Sequence, residues 1–253
     1  MWHNVRQLNL AASVLSALAI GVLLACAALW TISRPMFTWR AIDIDGDVAH
    51  INVPTVRESL AGHLQGNFFT SNLDAARAAF ETMPWVRRAG VRRVWPDRLD
   101  VTLEEYKPVA TWGSDQLVSM QGELFTANQG ELEQDDLPAL YGPDGTARDV
   151  LAKYRAFTRW FAPLGAKPIE VTLSPRYAWS VKLSNGMEIQ LGRERDEDTL
   201  RKRSDRLVLA WPEVSRRWGD HIEYVDLRYP NGFAIRVAGV RFIPDKTTGT
   251  NQP

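Results

Sequence analysis

An uncharged apolar run, Leu10 to Ile32, constrains this chain more than any other feature. Its nearest ionisable side chains are Arg6 and Arg34. A helix of about 20 apolar residues crosses the hydrocarbon core of a bilayer. The run therefore predicts one membrane helix at 10–32, a short tail at 1–9 and a folded ectodomain beyond. The positive-inside comparison sets Arg6 and the terminal amine against Arg34 and Arg40, and it is nearly balanced. Size decides more: the tail MWHNVRQ is no domain, so the large C-terminal part carries the function. That favours a cytoplasmic N-terminus and an ectodomain across the membrane. Trp30 and Trp39 stand where interfacial anchors belong.

Two processing alternatives compete with an uncleaved helix. A cleavable signal has an apolar core of about 7–15 residues, and this run is longer. Leu23-Leu24-Ala25-Cys26 has the form of a lipobox, and Cys26 is the single cysteine. The chain stays apolar well past Cys26, which a lipid anchor does not need, so an uncleaved helix is preferred. With no cysteine in the ectodomain there is no disulfide framework. A bacterial periplasm still fits a domain with a large apolar core. Lys plus Arg number 30, as do Asp plus Glu, which argues against a generally basic nucleic-acid binder.

The ectodomain is long enough for two domains. From Phe37 to Pro108 the pattern reads strand, helix, helix, strand, strand. Trp39–Ile44 is the first strand, and Asp43-Ile44-Asp45-Gly46-Asp47 reads as its closing turn. Thr55 and Glu58 suit a capping box for a helix with Val56, Leu60 and Leu64 on one face. Ser71 and Asp74 repeat the signal ahead of Leu73, Ala76, Phe80 and Met83, with Pro84 as the stop. WVRRAGVRRVW and RLDVTLEEY then form a hairpin around Pro96-Asp97.

Beyond Pro108 short strands alternate with two helices. Ala110–Met120 and Glu123–Thr126 read as strands, and the acidic segment Gly130–Gly145 as loop. Arg148–Leu164 is amphipathic, with Leu151, Tyr154, Phe157, Phe161 and Leu164 inward. Tyr177, Trp179, Val181 and Leu183 alternate, Asn185-Gly186 turns the chain, and Met187, Ile189 and Leu191 continue: a strong hairpin signal. Leu200, Leu207 and Trp211 mark a second helix ended by Pro212. Ile222–Tyr229 and Phe233–Val237 form a last hairpin around Pro230-Asn231-Gly232, and the tail from Asp245 is polar.

The search for chemistry is mostly negative. His3, His50, His63 and His221 have no metal-ligand spacing, and there is no phosphate loop or nucleophile elbow. Asp43, Asp45 and Asp47 lack the order of a calcium loop, whose twelfth position is Pro54 here. Arg87, Arg88, Arg92, Arg93 and Arg98 read either as a site for an anionic partner or as the wet face of a strand pair, the latter preferred. The final strand has one charge, Arg236, in Phe233–Val237. It is either an open edge available for pairing or an edge covered by other parts of the chain.

The segments carry a resemblance. Asn67–Trp112 (NFFTSNLDAARAAFETMPWVRRAGVRRVWPDRLDVTLEEYKPVATW) resembles the polypeptide-transport-associated (POTRA) region of the FtsQ/DivIB family of bacterial cell-division proteins. LVSMQGELF, LSNGMEIQLGR and YVDLRYPNGFAIRV resemble the hairpins of that family's β-domain. The resemblance covers essentially the whole chain and implies an α+β architecture: membrane helix, POTRA domain at 37–108, mixed α/β β-domain at 109–244 with a C-terminal antiparallel sheet, disordered tail at 245–253. The N-terminal tail is shorter than many members carry.

The resemblance also implies a non-enzymatic scaffold, without cofactor or metal, in the inner membrane at the division septum. The POTRA domain would serve recruitment through other divisome proteins. The β-domain would bind the FtsB–FtsL pair, with FtsB extending the sheet at its last strands. By motif match Arg228, Tyr229, Gly232, Phe233, Ala234, Ile235, Arg236 and Val237 are the partner-binding residues. Tyr229 would be an anchor, Arg228 would pair with an acidic partner residue, and Gly232 would supply a positive φ. Arg201, Arg203 and Arg206 lie on a helix that the family also uses there. A POTRA-bearing transport or outer-membrane assembly factor is the alternative, although the chain has no room for a barrel. A cell-wall enzyme has no credible constellation.

Overall fold

The computed structural model describes residues 5–46, 49–51, 56, 65–132 and 136–239. The chain divides into two compact units, Met1–Tyr106 and Lys107–Pro253.

The first unit opens with α1, Val5–Ile32, one uninterrupted helix that includes Cys26. Within it Leu8–Ile32 is, among the described residues, the one span long and apolar enough to cross a membrane, and none of that span is buried in the protein. A short 3-10 turn, Pro35–Phe37, then redirects the chain. Three strands follow: β1 (Ala41–Gly46), β2 (Val86–Val94) and β3 (Arg98–Glu105), with α2 (Leu73–Glu81) packed on β2. The sheet order is β1-β3-β2, with β1 parallel to β3 and β2 antiparallel to it. Alternation in β3 is strict: Leu99, Val101 and Leu103 are buried, and they meet Ala76, Phe80, Met83 and Val86. Each of the Leu, Val, Phe and Met side chains among them contributes about 1.5–3 kcal/mol on burial.

Several expectations change here. Asp43 to Gly46 are strand, not turn, because each pairs in register with β3, from Asp43↔Asp100 to Gly46↔Leu103. Gly46 is needed for close approach: a Cβ there would lie 2.1 Å from the Leu103 carbonyl oxygen. The cap of α2 is Asn72 rather than Ser71; its Oδ1 accepts from the N–H groups of Asp74 (3.0 Å) and Ala75 (3.1 Å). Ser71 instead donates its hydroxyl to the Asn67 carbonyl. The expected earlier helix with Thr55, Glu58, Leu60 and Leu64 lies outside the described residues, apart from Val56, which is buried in the core. Trp39 is half-buried and packs against the core beside Phe68, and its indole N–H is buried without a hydrogen-bond partner among the described residues. Trp30 is 63% exposed, with the Arg34 guanidinium 3.4 Å above its ring.

The arginine cluster is largely paired within its own sheet. Arg87 meets Glu104 at 2.6 Å, Arg92 meets Asp100 at 2.6 Å, and Arg98 lies 3.9 Å from Asp43. Arg93 donates to the Ser71 carbonyl at 2.8 Å. This favours the solvated-face reading over a free basic patch.

The second unit is one nine-stranded mixed sheet in the order β12-β11-β10-β9-β8-β7-β4-β5-β6. Its members are β4 (Pro108–Trp112), β5 (Gln116–Ser119), β6 (Leu124–Phe125), β7 (Ala139–Tyr141), β8 (Pro168–Leu173), β9 (Ala178–Leu183), β10 (Glu188–Arg193), β11 (Ile222–Asp226) and β12 (Ala234–Val237). Two helices, α3 (Ala147–Trp160) and α4 (Thr199–Trp218), share a single core with it. Phe157, Phe161, Leu200 and Leu207 meet Val171, Val181, Ile189 and Leu191 there. The Asn185-Gly186 turn joins β9 to β10 as expected, with Gly186 at φ 87°.

Three readings fail in this unit, and one strand had none. β7 lies inside the segment expected to be loop, pairing parallel with β4 and β8. β8, which had no reading of its own, is central to the sheet. Pro212 does not end the second helix, which runs on to Trp218. Val208 and Trp211 before the proline and Val214 and Trp218 after it all pack on the core, and this outweighs the lost hydrogen bond. Tyr177 stands just before β9 at φ 58° and is 61% exposed, so the inward alternation starts at Trp179.

Candidate functional site on the last hairpin

β11 and β12 complete one end of the large sheet. β11 runs parallel to β10, with Ile189↔Val225 in register, and the Leu227 N–H donates to the Gln190 carbonyl at 2.9 Å. β12 returns antiparallel, pairing Asp226↔Ala234, Val225↔Ile235 and Tyr224↔Arg236. Phe233, Ile235 and Val237 pack against the core, whereas Ala234 and Arg236 are exposed. Arg236 lies 3.5 Å from Glu223 and 5.0 Å above the Tyr224 ring.

The main chain of β12 has a definite parity. Ala238 donates its N–H to the His221 carbonyl at 2.7 Å. Facing residues of an antiparallel pair alternate between bonded and non-bonded positions. Counting back from Ala238, Arg236 and Ala234 address β11, while Val237 and Ile235 turn their N–H and C=O groups away from it. Counting from Leu227, which addresses β10, gives the same parity, since Asp226 and Tyr224 then face β12. Among the described residues no strand pairs with the outward side of β12.

The four sheet ends differ in how they resist pairing. β2 carries Arg87, Arg88, Arg92 and Arg93, and β1 carries Asp43 and Asp45. β6 has two residues. β12 has a single charge, already engaged with Glu223. It is the least defended of the four.

The connection from Leu227 to Phe233 is held from below. Arg206 of α4 donates from Nη1 to the carbonyls of Tyr229 (2.7 Å) and Gly232 (2.8 Å). Arg203, one turn earlier, donates to the Leu191 (2.5 Å) and Arg193 (3.1 Å) carbonyls. Burial and the neighbouring Arg195 and Arg206 lower the Arg203 pKa. Arg228 folds back on Asp226, with Nη2 to Oδ2 at 2.6 Å and Nε to Oδ1 at 2.9 Å. The Asp226 carboxyl is held below the usual aspartate range by the Arg228 guanidinium, against the opposing effect of burial, with further help from the Arg228 main-chain N–H. Arg228 thus has an acidic partner in its own chain. Gly192, at a bulge in β10, lies under this pair; a Cβ there would sit 2.9 Å from Arg228 Cγ.

Of the residues singled out in the sequence, the fold gathers all eight on this hairpin. Tyr229 is 56% exposed, and it helps line a shallow, mainly apolar recess with Pro230, Asn231, Gly232, Phe233 and Ala234. The role expected of Gly232 is not met. Its φ is not in the left-handed region, and a Cβ there would touch nothing within 4 Å. Sequence reasoning missed Asp226, Gly192 and Glu223. A signal for Asp226 existed in the Asp-x-Arg spacing, whereas Gly192 required knowing that β10 and the hairpin are neighbours.

Comparison with known proteins then places the chain. The family model described as Cell division protein FtsQ/DivIB, C-terminal, matches residues 110–228, and the POTRA domain, FtsQ-type, matches 37–106. The chain therefore has the build of an apolar N-terminal helix followed by a POTRA domain and a β-rich domain. It belongs to the FtsQ/DivIB family of cell-division proteins. The Cell division protein FtsQ of Burkholderia pseudomallei (strain K96243) is 66% identical over 98% of this chain and 99% of its own length. That of Bordetella pertussis (strain Tohama I) is 44% identical, covering 94% and 93% respectively, and that of Coxiella burnetii (strain RSA 493) 33%, covering 88% and 90%. The β-domain model stops at residue 228, short of β12.

Proposed function

We propose that this chain is a non-enzymatic scaffold of the divisome that captures the FtsB–FtsL pair by adding a strand of FtsB to β12. In this reading the N-terminus is cytoplasmic, α1 spans the inner membrane and both folded units are periplasmic at the septum. The POTRA unit recruits the chain through other division proteins. Membership of a cell-division family supports the setting. The observation that carries the binding mode is the state of β12: a terminal strand whose Ile235 and Val237 main-chain groups point away from β11. Main-chain bonds supply affinity in such pairing, and side chains on alternate positions supply selectivity. Tyr229 offers an amphipathic ring beside the strand, in a shallow recess suited to an apolar partner side chain.

The test is a titration of the full chain in lipid nanodiscs with the FtsB–FtsL pair of the same organism. Saturable binding that competes with a synthetic peptide of the FtsB strand supports strand addition. Absence of binding by the folded chain removes this reading.

A further inference from the structure

Three stretches distant in sequence meet just past the end of the membrane helix. Phe37 follows Ile32 by only a few residues and is buried. Its carbonyl accepts from the Phe68 N–H at 2.9 Å, and Asn67 donates its side-chain amide to the Ile32 carbonyl at 2.6 Å. The Asn67–Thr70 turn is thereby tied to the helix terminus; Asn67 Oδ1 also accepts from the Phe69 N–H at 3.0 Å. Trp95, from the β2–β3 turn, completes the group. Its ring lies 5.4 Å from both Phe37 and Phe68 and 6.3 Å from Phe69.

Only the inner members of this group are covered. Trp95 is 62% exposed, Phe69 46% and Met36 54%. Apolar side chains gathered into one exposed patch mark a protein or membrane interaction site. Local structure limits where that site lies. The 3-10 turn Pro35–Phe37 and the Asn67 bond to the Ile32 carbonyl keep the chain from extending here, so the group stays against the very end of the apolar span that α1 offers the bilayer. Trp is enriched at that depth, and Phe with Trp makes up the apolar face of segments that lie in the interface.

We infer that Phe69 and Trp95, with Met36, form a membrane-docking cap by which the first folded unit seats its rings in the headgroup–acyl boundary next to α1. The partner is the phospholipid surface itself. The cap adds a second attachment to the helix, and it restrains the orientation of the unit above the bilayer.

The test uses the full chain in nanodiscs of phosphatidylethanolamine and phosphatidylglycerol. Cys26→Ser provides a background for single nitroxide labels at Phe69→Cys, Trp95→Cys and, on the exposed face of α2, Ala78→Cys. Collision with oxygen exceeding collision with an aqueous nickel chelate is expected at positions 69 and 95, and the reverse at 78. Aqueous preference at either 69 or 95, matching position 78, overturns the cap and leaves the rings to a protein partner. A conservative variant guards against a misfolded label. Brominated-lipid quenching of the tryptophan fluorescence should fall in Trp95→Phe relative to the parent chain. Equal quenching in the two contradicts the proposal.

Discussion

Arg228 closes on Asp226 through three guanidinium hydrogen bonds and one from its main-chain N–H, so a residue that looked free for a partner is already engaged in its own chain. The pair stiffens the exit from β11 at the point where the connection toward β12 begins. Its pH dependence has a definite sign. Asp226 titrates lower when folded than when unfolded, where aspartate lies at about 3.9. The stabilisation is therefore complete above that value and is lost as pH falls through the folded value. Asp226→Asn should cost about 1 kcal/mol at neutral pH, since the guanidinium is well exposed and screened. Denaturant midpoints of the two proteins should converge as pH falls below the unfolded aspartate value and through the lower folded one.

Arg206 is the second support. Arg206→Ala removes two charge-assisted bonds to the Tyr229 and Gly232 carbonyls and should cost about 1–2 kcal/mol. Hydrogen exchange at residues 229–233 should accelerate, and partner affinity should fall with it, because a looser hairpin must be ordered on binding. Arg206→Lys should recover part of the loss, since one ammonium reaches fewer carbonyls than a planar fork.

The two glycines near the site make opposite forecasts. At Gly192, φ is +77° and a Cβ would press on Arg228 Cγ at 2.9 Å; Gly192→Ala should destabilise by more than about 1 kcal/mol. Gly232 has neither constraint, and Gly232→Ala should leave stability within about 0.5 kcal/mol. Thermal unfolding of the paired variants checks both.

Tyr229 separates binding from folding. Its ring is exposed, and the bond that holds the residue runs through its carbonyl. Tyr229→Ala should leave the unfolding midpoint in place while weakening the complex by about 2 kcal/mol if the ring is the anchor. Near-parental affinity in calorimetry would take Tyr229 out of the interface.

What was legible in the sequence had a local cause. The Asn185-Gly186 hairpin, the Pro96-Asp97 hairpin and the apolar spacing of Leu151 and Phe157 declare themselves within a few residues. β7 did not, because three residues show no periodicity and are strand only through Thr111↔Ala139 and Ala139↔Glu170. Asp43 to Gly46 carry turn chemistry, and parallel pairing with β3 overrides it. Pro212 is a helix breaker whose neighbours Trp211 and Val214 are anchored in the core. The hairpin residues were found from motif and chain position. Arg206 already stood on a helix tied to the same contact, but its bonds to the Tyr229 and Gly232 carbonyls, and Gly192 beneath Arg228, exist only because the folded sheet brings those elements alongside.

Hydrogen exchange on the last strand, with and without the FtsB–FtsL pair, tests strand addition most directly. Ala234 and Arg236 already address β11, whereas Ile235 and Val237 face outward. Slowing on partner binding should therefore be concentrated at the Ile235 and Val237 amides, with little change at Ala234 and Arg236. Uniform slowing across all four, or none at Ile235 and Val237 while binding is saturated, would contradict pairing at the edge of β12.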